Sequence, residues 1–207
     1  MPNLTQWLTD WLMLRTPVLK PRTVESYEDL IRRYITPSIG AKELDELRPT
    51  DIAHYLAGVS ATGRTRTAEL LYVMLKAALR DLEPNPMRRV PRPQHVQTTP
   101  VAWTDDQMAI YLCALAGHPH RLPLLLALMM GLRRGEICGL RWEDVDFSRW
   151  IIHVRNQRQR LATGEIIDCS PKSASSVRSI PIPEPLRRPL SAERQISGYN
   201  PSDAQRP

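Results

Sequence analysis

Cysteine is scarce in this chain, and the three residues present stand far apart. Cys113, Cys138 and Cys169 form no CxxC pair and no Cys/His cluster with metal-ligand spacing, so neither a zinc site nor a disulfide framework is indicated. Long apolar runs are missing too: Leu122 to Met130 is too short to span a bilayer and is interrupted by Pro123. The N-terminus, MPNLTQWLTDWLML, lacks the positive flank and cleavage pattern of a signal peptide. No internal repeat is visible, and nothing reads as a helix-turn-helix. These absences lead to the expectation of a soluble, cytoplasmic protein.

What is present is basic charge. Lys and Arg number 28 against 22 acidic residues, giving a net charge of +6 and a pI near 9.5. That balance favours a polyanionic partner, nucleic acid first. A hydrophobic fraction of 42% is ordinary for a chain that buries a core, and 207 residues suffice for one large domain or two small ones.

The first half reads as helices. In VESYEDLIRRYI the apolar positions Val24, Tyr27, Leu30, Ile31, Tyr34 and Ile35 recur at helical spacing, with Thr23 as N-cap. PTDIAHYLAGV begins another helix with Thr50 as cap, and TAELLYVMLKAALRDL carries Leu71, Leu75, Ala78 and Leu79 inward. With the N-terminal WLTDWLML segment they make a four-helix module over residues 1–86. The stretch EPNPMRRVPRPQHVQTTP then has five prolines and no helical period, so 87–100 is expected to be an extended linker made basic by Arg88, Arg89 and Arg92.

The second half changes texture. Thr104 to Gln107, TDDQ, is a capping-box pattern opening a helix, and an apolar helix up to Met130 follows. Beyond Asp146 the period moves towards two, so WIIHV, GEIIDCS and VRSIPIP are expected as three strands, the first two joined through Ala162, Thr163 and Gly164. A mixed α/β unit over 101–186 results. Residues 187–207 have few apolar positions and are expected to be a disordered tail.

One constellation stands out. The apolar run LPLLLALMMGL delivers Arg133 and Arg134 at its end, followed by Glu136. A guanidinium is planar, always charged and able to hold two phosphate oxygens at once, and Glu136 one turn on could orient it. The residues alone also allow a plain helix start whose arginines pair with Glu136, Glu143 or Asp144.

GLRRGE followed by GLRWEDVDF resembles the tyrosine recombinase (phage integrase) family. The match runs through Gly131, Leu132, Arg133, Gly135, Glu136, Leu140, Arg141, Trp142, Asp144 and Asp146. SPKSASSVRSIPIP is similar to the family's hairpin with its catalytic lysine, here Lys172. LKPRTVESYEDLIRRYITPSIGAKELDELRPTDIAHYL is similar to the helical core-binding domain. The resemblance covers roughly residues 4 to 186. It implies a mainly α protein with a small β-sheet: an N-terminal four-helix SAM-like core-binding domain plus a partial mixed α/β catalytic domain, in a bacterial or phage-infected cell.

The resemblance also implies a chemistry. A tyrosine hydroxyl attacks a DNA phosphate, arginines stabilise the charge that builds on the non-bridging oxygens, and a lysine protonates the departing 5′ oxygen. Arg133 would be the first arginine, Glu136 its support and Lys172 the acid, with no metal or cofactor. After Lys172, however, there is no histidine, no tryptophan and no His-x-x-Arg string, and the one tyrosine, Tyr199, sits in a polar Pro-flanked segment. His118 to Arg121 has that spacing but precedes Arg133. The expectation is therefore a C-terminally truncated recombinase whose catalytic competence is uncertain, and the partner expected is duplex DNA at attachment or recombination sites. Contacts are expected from Lys20, Arg22, Thr23 and Tyr27 at one helix start and from Arg64, Arg66, Lys76 and Arg80 around another. Two other readings stay open: a non-catalytic DNA binder that occupies recombination sites or pairs with an intact recombinase protomer, and an inert remnant of a mobile element.

Overall fold

The computed structural model describes residues 1–95, 99–169 and 177–197. The chain divides into two compact units, Met1–Pro100 and Val101–Pro207. In the first, helix α1 spans Leu4–Arg15. Asn3 caps it reciprocally, accepting from the Gln6 N–H at 2.9 Å while Gln6 Oε1 accepts from the Asn3 N–H at 3.1 Å. Leu4, Leu8 and Leu12, four apart, form its buried stripe. Helix α2, Pro21–Leu30, continues into a π-helical turn, Ile31–Ile35, and α3 (Pro49–Ala61) and α4 (Thr65–Ala78) complete the layer. Their inward residues meet in one core that includes Leu30, Ile35, Ile52, Leu56, Leu71, Met74, Leu75 and Leu79. Trp7 Nε1 donates to the Ala78 carbonyl at 3.0 Å, satisfying one of the open carbonyls at the end of α4.

Two helix starts differ from expectation. Thr23 and Thr50 are not caps: the helices begin at Pro21 and Pro49, behind Lys20 and Arg48. Proline at the first helical position presets φ and has no N–H to leave unpaired, so it takes the place a residue or two earlier. The Pro-rich stretch is also not free of the helices. Met87 and Val90 are buried in the same core, because apolar side chains between prolines still gain by leaving water.

In the second unit Thr104 caps α5 (Asp105–Ala114) with the expected reciprocal bonds to Gln107. Helix α6 spans Arg121–Met130, and Pro123 does not break it, lying in the first turn where a missing N–H costs nothing. Gly131 ends the helix at φ 63°, a left-handed conformation open to glycine. Then come α7 (Arg134–Gly139), a 3-10 turn at Trp142–Asp144, β1 (Val145–Asp146), β2 (Ile151–Val154), β3 (Gln157–Arg160), β4 (Ile166–Cys169), β5 (Arg178–Pro181) and α8 (Glu184–Ile196).

The strands form an antiparallel sheet in the order β1-β2-β5 and a separate β3-β4 hairpin. The turn at Ala162 to Gly164 therefore joins β3 to β4, not the WIIHV strand to GEIIDCS. QRQR has no apolar residue to announce a strand; it pairs in register from Gln157 with Cys169 to Arg160 with Ile166.

The disordered tail expected from residue 187 is corrected as far as residue 196. There α8 buries Leu186 and Leu190, one turn apart, in the same core as Ile152, Val154 and Ile182. Arg187 lies over the Trp150 ring at 5.2 Å and Arg194 over Phe147 at 4.4 Å. Two apolar anchors and stacked guanidiniums are enough to seat a helix whose composition looks polar. Among the described residues no helix is long and apolar enough to cross a membrane.

Candidate functional site

Leu132, only 4% exposed, joins the second core immediately after the Gly131 turn. Arg133 follows with extended backbone as the residue capping α7. Its side chain is 70% exposed, whereas that of Glu136, one turn on, is 1% exposed. Glu136 reaches back under the arginine: Oε2 accepts from the Arg133 N–H and Oε1 from its Nη1, both at 2.9 Å. The same carboxylate takes a two-pronged bond from Arg178 on β5, Nη1 to Oε1 and Nη2 to Oε2, again at 2.9 Å.

A buried carboxylate with two arginines stays ionised. The Arg178 fork, opposed by burial and aided by the bonds from Arg133, lowers the Glu136 pKa to about 2. In return Glu136 pushes the Arg178 pKa up. The result is a fixed anion that holds one guanidinium outward and another, partly covered, beside it.

The floor under this arrangement is the β3-β4 hairpin. A Cβ on Gly139 would stand 2.9 Å from the Arg158 backbone nitrogen, so only glycine lets α7 lie this close to β3. Arg158 Nε and Arg141 Nη2 both bind Asp168 on β4, at 2.7 and 3.1 Å, fastening the hairpin to the loop after α7.

Arg133 and Glu136 are thus brought together as expected. Lys172 and Tyr199 both lie outside the described residues. In the first unit Lys20 and Arg22 are exposed at the start of α2, with Arg22 Nη1 on Glu25 at 2.9 Å, and Thr23 is half-buried beside them. Tyr27 packs on Trp11 at 5.8 Å and is partly taken into the core. Arg64 and Arg66 are exposed at the start of α4, Arg64 over the Tyr34 ring at 5.9 Å; Lys76 and Arg80 are exposed further along. His118 and His120 form a turn before α6, His118 Nδ1 accepting from the His120 N–H at 3.0 Å. Among the described residues no group of three or more His, Cys, Asp or Glu could hold a metal ion.

Arg178 was missed by sequence reasoning. The signal was there: VRSIPIP alternates, placing Arg178 on the same strand face as Ile180 and Ile182. A cation on an apolar face calls for a buried acid.

Residues 3–59 match the phage integrase N-terminal SAM-like domain. A tyrosine recombinase XerC-like protein of Caldanaerobacter subterraneus subsp. tengcongensis is 26% identical over 189 residues, covering 81% of this chain and 48% of its own length. The prophage phiRv2 integrase of Mycobacterium tuberculosis is 26% identical over 188 residues, covering 87% of this chain and 49% of its own. In fold, the chain is similar to the Tn1549 transposon integrase, solved in complex with transposon right end DNA (TM-score 0.79, 24% identity, 96% of this chain and 67% of that one). It is also similar to lambda integrase, solved as a tetramer bound to a Holliday junction (TM-score 0.70, 21% identity, 96% and 58%). The chain is thus similar to tyrosine recombinases and integrases over most of its length, and it spans about half the length of these curated relatives.

Proposed function

We propose that this chain binds duplex DNA at recombination sites in the manner of an integrase, and that the polypeptide of these 207 residues neither cleaves nor rejoins DNA by itself. The observation that carries the reading is the buried Glu136 under a solvent-facing Arg133. A cation held from below costs little further ordering when a phosphate oxygen arrives, which suits it to charge that develops during phosphoryl transfer. Lys172 is assigned the role of general acid for the leaving 5′ oxygen. Within these 207 residues no His-x-x-Arg string follows it. Lys20, Arg22, Thr23, Tyr27, Arg64, Arg66, Lys76 and Arg80 are assigned to the helical unit's DNA face, mostly as phosphate contacts that set register without reading bases. DNA-bound integrases of similar fold support this assignment. Pairing with an intact recombinase protomer on the same site is the complementary reading.

Titration of a labelled duplex tests the proposal. Affinity is expected to fall log-linearly with salt, by on the order of a thousandfold between about 50 and 200 mM if about six phosphates are held. Arg64→Ala combined with Arg66→Ala is expected to weaken it. Salt-independent binding, or no change in the double variant, would sink the DNA assignment. A covalent adduct on a nicked suicide substrate, abolished by Tyr199→Phe, would overturn the claim that the chain is catalytically silent.

A further inference from the structure

The Pro-rich stretch after α4 doubles back onto that helix. Arg92 Nη2 binds Glu69 Oε1 at 2.7 Å, and Arg66 Nη1 binds the other oxygen of the same carboxylate. Three residues on, His95 Nδ1 meets the Thr65 hydroxyl at 3.0 Å. Glu69 is 14% exposed, while Arg66 and Arg92 are 61% and 62% exposed. The two guanidiniums lower the Glu69 pKa, Arg92 most and Arg66 next. A covered carboxylate therefore gathers two open guanidiniums from separate segments of chain and keeps them side by side.

We propose that Arg66 and Arg92, joined through Glu69, act as a single clamp for one DNA phosphate, carrying the DNA-binding face of α4 onto the residues that follow it. This rests on the DNA-binding reading above and adds Arg92 to it. Two cations and one anion leave one net positive charge, the complement of one phosphodiester. Each guanidinium commits one edge to Glu69 and keeps further donors for the phosphate, five N–H groups being available on each. Removing either arginine leaves a neutral Arg–Glu pair, so either loss abolishes the site. Two independent surface arginines would behave otherwise, each keeping its own phosphate.

The experiment is a double-mutant cycle on the full chain, read by fluorescence anisotropy with a labelled duplex over a salt series. Arg92→Ala, Arg66→Ala and the double variant, the last also carrying Glu69→Gln so that no bare carboxylate faces the DNA, are each expected to lower the salt slope by about 0.9, one phosphate's worth. Their affinity losses should be equal and not add. They should also be the same on duplexes of unrelated sequence, as phosphate contacts require. A slope loss in the double variant of about twice that amount, with additive affinity losses, would replace the clamp by two separate contacts. If Arg92→Ala changes nothing while Arg64→Ala still weakens salt-dependent binding, the clamp is wrong and the DNA-binding reading survives. If the unaltered chain shows no salt-dependent duplex binding, both fail. Arg66 and Arg92 are both exposed, and a matched thermal melt of each variant identifies any loss that comes from unfolding.

Discussion

Glu136 is the residue on which the second unit's charges converge. Its carboxyl is held at about 2 in the folded chain against an ordinary 4.5. The stability it contributes is therefore complete above about pH 4.5 and is lost as pH falls towards about 2. Glu136→Gln cannot ionise, so it should flatten that part of the acid-unfolding profile. It should also lower stability at neutral pH by about 1–3 kcal/mol, because two arginines lose their anionic acceptor. Denaturant unfolding at stepped pH, followed by tryptophan fluorescence, checks both. Arg178→Lys should recover little of the stability lost in Arg178→Ala, since an ammonium keeps the charge but not the fork. Recovery to the unaltered midpoint would show that charge alone suffices. Arg133 and Glu136 could be paired from the sequence because they are one helical turn apart. Arg178 reaches the same carboxylate from 42 positions away, a distance that only strand order closes.

Among the elements, α8 and β3 carry the lessons. Leu190→Ala should destabilise the second unit by about 2–5 kcal/mol, the usual cost of emptying a buried leucine site, and a matching drop in its unfolding midpoint would verify that α8 belongs to the core. A neutral result would return that segment to the status of a tail. Gly139→Ala places a methyl group against β3 backbone that no side-chain rotation can clear, and about 1–3 kcal/mol is the expected loss. The helices of the first unit were legible because each shows an apolar face at helical spacing over several turns. β3 was not, because QRQR earns its place by backbone pairing and by the Arg158–Asp168 bond. For α8 the obstacle was composition: Pro185, Pro189 and three arginines conceal a helix anchored by Leu186 and Leu190.

Over the whole molecule, apolar side chains remain open in the second unit. Val101, Trp103, Ile110 and Met129 are all more than a third exposed, and α5 buries none of its residues fully. Such a surface should bind a hydrophobic dye at low salt, and Ile110→Lys should reduce the signal measurably; an unaltered chain that leaves the dye dark would contradict this. Composition showed from the start that the chain is basic, but not how its charges are grouped. Glu69 joins Arg66 to Arg92, and Glu136 joins Arg133 to Arg178, so six residues behave as two linked triplets. In a saturation mutagenesis scan scored for DNA retention, the tolerance profiles of these positions should therefore rise and fall by triplet. A glutamate would then rank beside the arginines it joins, where a tally of charge signs would have set it among the residues to remove.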